Sequence, residues 1–238
     1  MKNRYNDYAD EYATAIASRD EWGFSPYLDL VVPALLGVLG HIRGRSVLDA
    51  CCGEGSFTRL LAGGGAHVIG IDISARLIEM ARQKETEERR GISYAVSDLT
   101  RPLLQYAAHF DLITCNLALD DVADYRALIK NLADMLKPGG RLALSMNNPY
   151  SAVIRKRVQH YFDSGRSSAH VGLAAAGVLT LYYHRTLEEY FREFTANGLF
   201  LRTWLDLKPG PEHLASGSPR PRRYYHFPFF LVLELVKV

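Results

Sequence analysis

Short apolar runs alternate with amphipathic stretches along most of this chain. Runs with the character of buried strands occur at residues 47–48, 66–72, 92–99, 110–116, 137–146, 200–205 and 229–236. Apolar side chains recur at helical spacing in the intervening residues 56–62, 75–90 and 124–136. This alternation predicts an α/β fold in which helices cover both faces of a mostly parallel sheet.

Two segments interrupt the alternation. Residues 150–183 contain a basic cluster that includes Arg155 and Arg157, and we predict that they form an insertion. The predicted main domain comprises residues 1–149 and 180–238, with residues 150–179 inserted as a substrate cap. The basic cluster is typical of a solvated face, and attraction of an anionic substrate is the alternative. Residues 206–226 are rich in Pro, Gly and Arg and are predicted to form a long loop.

The stretch at residues 46–58 combines a strand, a glycine-containing turn and the start of a helix. Gly53 and Gly55 would allow a sharp turn and a close approach to a ligand, because neither carries a Cβ atom. The helix that starts near Ser56 would direct its unpaired N–H groups at that ligand. The stretch therefore predicts a site for a nucleoside-containing cofactor.

The residues of this turn distinguish between two kinds of cofactor. A dinucleotide site is expected to show G-x-G-x-x-G, whereas this chain has Cys51, Gly53 and Gly55, preceded by Asp49. An acid at that position is unfavourable beside a pyrophosphate and favourable beside a cationic group. The arrangement resembles motif I of the class I S-adenosylmethionine-dependent methyltransferases, in particular the small-molecule, type 11/25-like branch. In that family the position of Cys51 is more usually a glycine.

Acids also follow the next two predicted strands. Asp72 lies 17 residues after Gly55 (72 − 55), close to the ~20-residue spacing of a ribose-binding acid, and helix capping is the alternative. Ile73 would then lie against the adenine. The resemblance implies that Asp98 accepts a hydrogen bond from the adenine amine and that the N–H of Leu99 reaches the ring. A turn-forming role is the alternative for Asp98.

Two further residues complete the predicted cofactor site. Tyr12 belongs to an N-terminal tyrosine pattern that resembles the cofactor-covering segment of the family, and simple packing of a helix on the domain is equally compatible with it. Asn116 ends the fourth predicted strand, at the edge of the crevice where open parallel sheets bind ligands. The predicted cofactor-binding residues are Tyr12, Asp49, Cys51, Gly53, Asp72, Ile73, Asp98, Leu99 and Asn116.

One catalytic candidate precedes a capping box at Thr186-x-x-Glu189. His184 could face the substrate pocket and remove a proton from the acceptor, whereas a structural hydrogen bond at the helix entry is the alternative. His160 and His170 are further candidates for the base. No metal is predicted, because an Asp120 or Asp121 site with the asparagines at 147 and 148 is a poor match to a metal-dependent variant.

The resemblance implies a Rossmann-like, seven-stranded, mostly parallel sheet with an antiparallel last strand, helices on both faces and a substrate cap insertion. It also implies an enzyme that moves a methyl group from S-adenosylmethionine to an O or N atom, less readily a C atom, of a small molecule, with S-adenosylhomocysteine as product. Specialised metabolism is the predicted setting. The alternatives are an NAD-dependent oxidoreductase and a non-catalytic binding protein with the same fold.

The composition of the chain argues against nucleic acid and membranes as its binding partners. With 28 basic and 26 acidic residues among 238, the net charge of +2 does not indicate a nucleic-acid-binding protein. No apolar run reaches the ~20 residues of a membrane span, and residues 1–8 lack the apolar core of a signal peptide. Three cysteines, two of them adjacent, are typical of a reduced environment. We therefore expect a cytoplasmic monomer or homodimer that binds neither nucleic acid nor membrane.

Overall fold

The computed structural model describes residues 4–167 and 182–238. The strands in this part of the chain are β1 (Ser46–Ala50), β2 (His67–Asp72), β3 (Ser93–Val96), β4 (Phe110–Asn116), β5 (Leu136–Asn147), β6 (Gly165–Ser167), β7 (Tyr182–His184), β8 (Leu199–Asp206) and β9 (Phe230–Lys237). Seven of them form one sheet in the order β3-β2-β1-β4-β5-β9-β8, while β6 and β7 form a separate antiparallel pair.

The first five strands of the sheet are parallel. Ala50 on β1 is in register with Ile71 on β2 and with Cys115 on β4. The carboxyl ends of β1, β2 and β4 therefore lie along one rim of the sheet. In open parallel sheets this rim is the place where ligands bind.

Strand β9 lies between β5 and β8 and is antiparallel to both. The predicted sheet, mostly parallel with an antiparallel last strand, is thereby confirmed. All backbone pairing of β8 within this sheet is with β9, so β8 forms one edge.

Helices cover both faces of the sheet. The α-helices in the described residues are α1 (Ala9–Ala17), α2 (Val32–Leu39), α3 (Ser56–Gly63), α4 (Ala75–Glu87), α5 (Tyr125–Met135), α6 (Tyr150–Ile154), α7 (Leu187–Ala196), α8 (Pro211–Leu214) and α9 (Pro219–His226). Successive residues of β1 point to opposite faces, as expected for a strand. Val47 packs in a core cluster with Leu35 of α2, whereas Leu48 packs in another with Leu132 of α5 and Phe194 of α7.

The prediction of a loop at residues 206–226 is wrong, because two short helices occupy this segment. Ser218 caps α9 by accepting a hydrogen bond from the backbone N–H of Arg220. Pro211 and Pro219 begin α8 and α9, where the missing N–H of proline costs no helical hydrogen bond. The prolines that suggested a loop are therefore helix-initiating residues.

The predicted cap at residues 150–179 is described as far as residue 167. It begins with α6 and includes β6, which pairs with β7. Residues 168–181 lie outside the described part, so the domain boundaries stay a prediction. Across residues 4–167 and 182–238, we find no helix whose length and apolarity would suffice to span a membrane.

Candidate functional site

Two neighbouring cavities lie at the carboxyl rim of the parallel strands. The first has a volume of about 460 Å³ and the second about 320 Å³. Six residues line both of them: Tyr5, Tyr12, Cys51, Asn116, Leu117 and Asp121. The two cavities therefore share a wall at the ends of β1 and β4, and together they form one extended site.

The turn after β1 has the backbone conformation that its glycines predicted. The φ angles of Gly53 and Gly55 are 58° and 83°, in the left-handed region. Cys51 adopts the same conformation, with φ of 57°, although it carries a side chain. A Cβ atom on Gly55 would lie 2.6 Å from the hydroxyl oxygen of Tyr94, so only glycine fits there. The substitution of Cys51 for the usual glycine thus leaves the turn intact.

Asp49 lies beneath this turn and lines the first cavity. Its side chain is 1% exposed, and the hydroxyls of Thr58 and Thr114 donate to its two carboxylate oxygens at 2.6 and 2.8 Å. Burial raises the pKa of Asp49 to about 6 in spite of these two hydrogen bonds. A cationic group in the cavity would stabilise its charged form.

Asp72 and Asp98 lie together in the second cavity. Asp72 accepts hydrogen bonds from the backbone N–H groups of Gly53, at 2.9 Å, and Ser74, at 2.8 Å. It does not cap α4, because Ser74 does so by accepting from Leu77. Asp98 uses its Oδ1 atom to accept from the backbone and the hydroxyl of Thr100, which leaves Oδ2 with acceptor capacity.

The N-terminal segment covers the junction of the two cavities. Tyr12 lines both, and its ring lies 3.5 Å from the position that a Cβ atom on Gly53 would occupy. Two contacts attach the segment to the sheet rim. Asn6 accepts a hydrogen bond from the Ser74 hydroxyl at 2.7 Å, and the phenol of Tyr5 donates to the carboxylate of Asp121.

Asp121 is a partly buried carboxyl group at the wall between the cavities. Burial raises its pKa well above the usual value, and the nearby charge of Asp120 adds to the effect, whereas the Tyr5 hydrogen bond opposes it. The carboxylate of Asp120 accepts a hydrogen bond from the side-chain amide of Asn147 at 2.6 Å. A carboxyl group with a raised pKa at this position is chemically suited to accept a proton.

All nine predicted cofactor-binding residues line one or both cavities. The second cavity is lined by Gly53 and by the residues predicted to contact adenosine, namely Asp72, Ile73, Asp98 and Leu99. Asp49 lines the first cavity, and Tyr12, Cys51 and Asn116 line both. The rim arrangement of parallel strands therefore brings these residues into one site.

The structure corrects the expectation that His184 faces the substrate pocket. Its side chain is 0% exposed and lines neither cavity. Its Nε2 atom lies 2.7 Å from the backbone carbonyl oxygen of Tyr161, which corresponds to the structural alternative. His160 is exposed and lines neither cavity. His170 lies outside the described residues.

Several residues of the site were not predicted from the sequence. Asp121 was considered only as part of a poorly matching metal site, yet it follows β4 on the rim where Asp49 and Asp72 lie within the last two residues of β1 and β2. Its place after a strand was the signal that could have identified it. Arg155, which follows α6 and lines the first cavity, belongs to the basic cluster for which attraction of an anionic substrate was the alternative. Tyr224, which lines the same cavity from α9, had no comparable signal.

A family model described as a methyltransferase domain matches residues 20–198 of this chain. The match includes the turn after β1, the rim of the parallel strands and α7. It covers well over half of the sequence.

Curated relatives match about half of the chain. The ubiquinone biosynthesis O-methyltransferase of Coxiella burnetii (strain Dugway 5J108-111) is 39% identical over 107 residues, 45% of either protein. The protein of the same name from Idiomarina loihiensis is 34% identical over 141 residues, 57% of this chain and 58% of that protein. The chain thus matches about half the length of these relatives.

The fold also matches solved structures. An S-adenosylmethionine dependent methyltransferase from Mesorhizobium loti superimposes with a TM-score of 0.74, covering 90% of this chain and 99% of that one. The two sequences are 23% identical, so this match concerns the fold.

Proposed function

This chain belongs to the methyltransferase-domain family, and from this premise we propose that it transfers a methyl group to an oxygen atom of a small molecule. The predictions of a class I methyltransferase and of S-adenosylmethionine as its cofactor are confirmed. The NAD-dependent oxidoreductase considered from the sequence is excluded by this membership. Two relatives named O-methyltransferases support the choice of oxygen over nitrogen or carbon as the acceptor atom. The chain matches about half the length of each of them.

One observation carries the proposal: the second cavity, which is suited to a nucleoside, adjoins the first cavity across a shared wall. The second cavity has carboxylates of the kind that bind a ribose and an adenine amine, since Asp72 and Asp98 both retain acceptor capacity. Ile73 is 50% exposed and supplies an apolar surface for a ring. The first cavity, with Asp49 on its wall, has room for the cationic end of the cofactor and for an acceptor.

The residues present fit S-adenosylmethionine. Asp49 is a buried acid that lines the first cavity and has no ion pair among the described residues, so a positive charge there would offset the cost of its burial. Glu54 also lines this cavity and is already paired with Lys84. Gly53 lines the second cavity without a side chain, which leaves room for a close ligand. When bound, the cofactor supplies an electrophilic methyl group.

The chain contributes to the transfer mainly by alignment. Tyr12, Cys51 and Asn116 lie on the shared wall and can hold two reactants in contact. The amide of Asn116 is itself fixed, because it donates to the Tyr27 hydroxyl at 3.0 Å. Asp121 on the same wall is the proposed proton acceptor for the hydroxyl that is methylated. Its raised pKa brings its proton affinity closer to that required at neutral pH.

A methyl-transfer assay tests the proposed function. The protein is incubated with methyl-labelled S-adenosylmethionine and panels of phenols, carboxylates, amines and thiols, and products are identified by mass spectrometry. We expect one methyl group on a phenolic or other hydroxyl oxygen. Asp98→Ala, which removes a proposed adenine contact, should lower the rate of transfer when S-adenosylmethionine is limiting. Binding of S-adenosylhomocysteine without transfer to any acceptor would favour the non-catalytic binding protein, and transfer to nitrogen alone would refute the choice of oxygen.

The setting of the reaction is part of the proposal. Specialised metabolism, a cytoplasmic location and a monomeric or homodimeric state stay predictions from the sequence. Size-exclusion chromatography with light scattering measures the last of these directly.

A further inference from the structure

A cationic group lies at the end of the first cavity that is remote from Asp49. Arg155 follows α6 and lines this cavity together with Asn147 and Phe230, which face each other in the pairing of β5 and β9. Since β1 and β9 are three strands apart in the sheet, the two ends of the cavity are separated by about 14 Å. Arg155 is therefore on the side of the first cavity away from the cofactor turn.

The guanidinium of Arg155 is held by an aromatic ring. Its Cζ atom lies 4.2 Å from the centre of the Phe229 ring, a cation–π distance. No carboxylate in residues 4–167 or 182–238 lies within 4.0 Å of it, and its buried Nε atom has no hydrogen-bond partner there. A buried guanidinium donor without an acceptor is costly.

Two other buried or partly buried arginines of the described residues have acceptors for their guanidinium groups. Arg185 donates to the backbone carbonyls of Leu119, Val122 and Ala123 at 2.7–3.2 Å. Arg141 forms an ion pair with Glu234 at 2.5 Å. The buried Nε atom of Arg155 has no such acceptor among the described residues, and the hydroxyl of Tyr224 is the side-chain acceptor near this guanidinium.

Helix α9 adds positive charge to the same place. Arg220 and Tyr224 line the cavity. The Cζ atom of Arg223 lies 5.2 Å from the centre of the Phe229 ring, against which Arg155 also packs. Burial lowers the pKa of Arg155 and the like charge of Arg223 lowers it further, whereas the hydroxyl of Tyr224 opposes both effects. An anion at this position would offset both effects.

We propose that the Arg155 end of the first cavity binds an anionic group of the methyl acceptor, a carboxylate or a phosphate. A planar guanidinium presents paired N–H donors that match both kinds of oxyanion. The rings of Tyr224 and Phe230, stacked with centres 5.8 Å apart, provide an apolar wall for the body of the acceptor. The inference rests on the proposed function, because it assigns a substrate class to that site.

Binding of simple probes tests the inference without any methyl transfer. The protein is saturated with S-adenosylhomocysteine and titrated calorimetrically with 4-hydroxybenzoate, phenyl phosphate and the neutral 4-hydroxybenzyl alcohol. We expect one anionic probe to bind at least ~10-fold more tightly than the alcohol, as a hydrogen bond to a charged group would give. Comparison of the two anions distinguishes a carboxylate site from a phosphate site.

Substitutions of Arg155 test whether this residue causes the preference for anionic probes over the neutral one. Arg155→Met should abolish the anion preference, while the methionine side chain still packs on Phe229. If Arg155→Met does not fold, Arg155→Gln is used in its place. Arg155→Lys should retain part of the preference because it keeps the charge. Arg192→Met on α7 is the matched control, since the Arg192 side chain is 75% exposed and pairs with Glu188 on the surface.

Equal titrations of the anionic and neutral probes with the wild-type protein, including no binding of any, would overturn the inference. An anion preference that survives in both Arg155→Met and Arg155→Gln would overturn it as well. If the anion preference is present but the methyl-transfer assay fails, the proposed function is refuted and the anion site stands. If methyl transfer occurs with equal use of neutral and anionic acceptors, the anion site alone is refuted.

Discussion

The phenol of Tyr5 donates a hydrogen bond to the carboxylate of Asp121, and the two residues are 116 positions apart in the chain. This contact joins the N-terminal segment to the end of β4, directly over the wall that separates the two cavities. It also places a hydrogen-bond donor on the group that we propose to accept the substrate proton. Closure of the site and the proton affinity of Asp121 are therefore linked.

Tyr5→Phe should weaken binding of S-adenosylhomocysteine. The substitution removes the donor to a partly buried carboxyl group, a contact whose loss corresponds to ~10-fold in affinity. Isothermal titration calorimetry measures the effect. Tyr225→Phe is the matched control, because Tyr225 is 57% exposed on α9. An unchanged affinity in Tyr5→Phe would show that the covering segment contributes nothing to cofactor binding.

Asp121→Asn should lower kcat by about 100-fold with a hydroxyl acceptor, which is the usual contribution of a positioned base. The amide keeps the shape of the side chain and can still accept from Tyr5, so the affinity for S-adenosylhomocysteine should change little. The variant should also lose the acidic limb of the pH–rate profile, because that limb reports deprotonation of Asp121. A normal kcat with an unaltered profile would assign the proton to another acceptor, such as solvent.

Asp98→Asn should change the preference for the base of the cofactor. A carboxylate accepts from the amine of adenine, whereas the oxygen of hypoxanthine would face it as a second acceptor. The wild-type protein should therefore bind S-adenosylhomocysteine more tightly than S-inosylhomocysteine, and the amide donor in the variant should reduce the ratio by ~10-fold. Competition titrations measure the ratio. A ratio that is the same in both proteins would remove Asp98 from the adenine site.

Asp49 should make the stability of the ligand-free protein depend on pH. Its pKa is raised from 3.8 to about 6 in the folded state, so folding favours the protonated form. Relative to Asp49→Asn, the free energy of unfolding of the wild type should be highest below pH ~4, fall as pH rises to about 6 and then level off. The total change in the free energy of unfolding is about 3 kcal/mol, because each unit of the pKa difference between the folded and unfolded states corresponds to ~1.4 kcal/mol.

Urea denaturation of both proteins between pH 4 and 8 measures this difference. The asparagine can still bond both threonines, because a hydroxyl can donate or accept. Asp111→Asn is the control. Its hydrogen bond with Lys137 lowers the pKa of Asp111 below 3.8, so its titration lies below this range. Parallel stability curves for the wild type and Asp49→Asn would refute the raised pKa.

The sheet and the cofactor half of the site could be predicted because local patterns determine them. Asp72 and Asp98 follow apolar strands, and parallel strands place their carboxyl ends on one rim. The conformation of Cys51 follows from its position between strand and helix. The parallel direction of these strands also determines which rim of the sheet holds the ligand.

The acceptor half could not be predicted in the same way, because its residues come from elements without a shared periodicity. The sequence around His184 correctly indicated the start of α7, but a capping box does not reveal which way the preceding side chain points. Arg155 and Tyr224 meet only because α6 and α9 pack at the same end of the sheet. Proline at the first turn of α8 and α9 was interpreted as loop chemistry, and the helices that carry this wall were missed.

The insertion of β9 between β5 and β8 affects how the chain can fold during synthesis on the ribosome. Residues 46–147 can assemble the parallel strands as soon as they emerge, whereas β8 must wait with both backbone edges unpaired until residues 230–237 have been translated. Unpaired strand edges promote association with other chains. The nascent protein therefore passes through a stage at which β8 is exposed, and a chaperone that shields this strand would act during that interval.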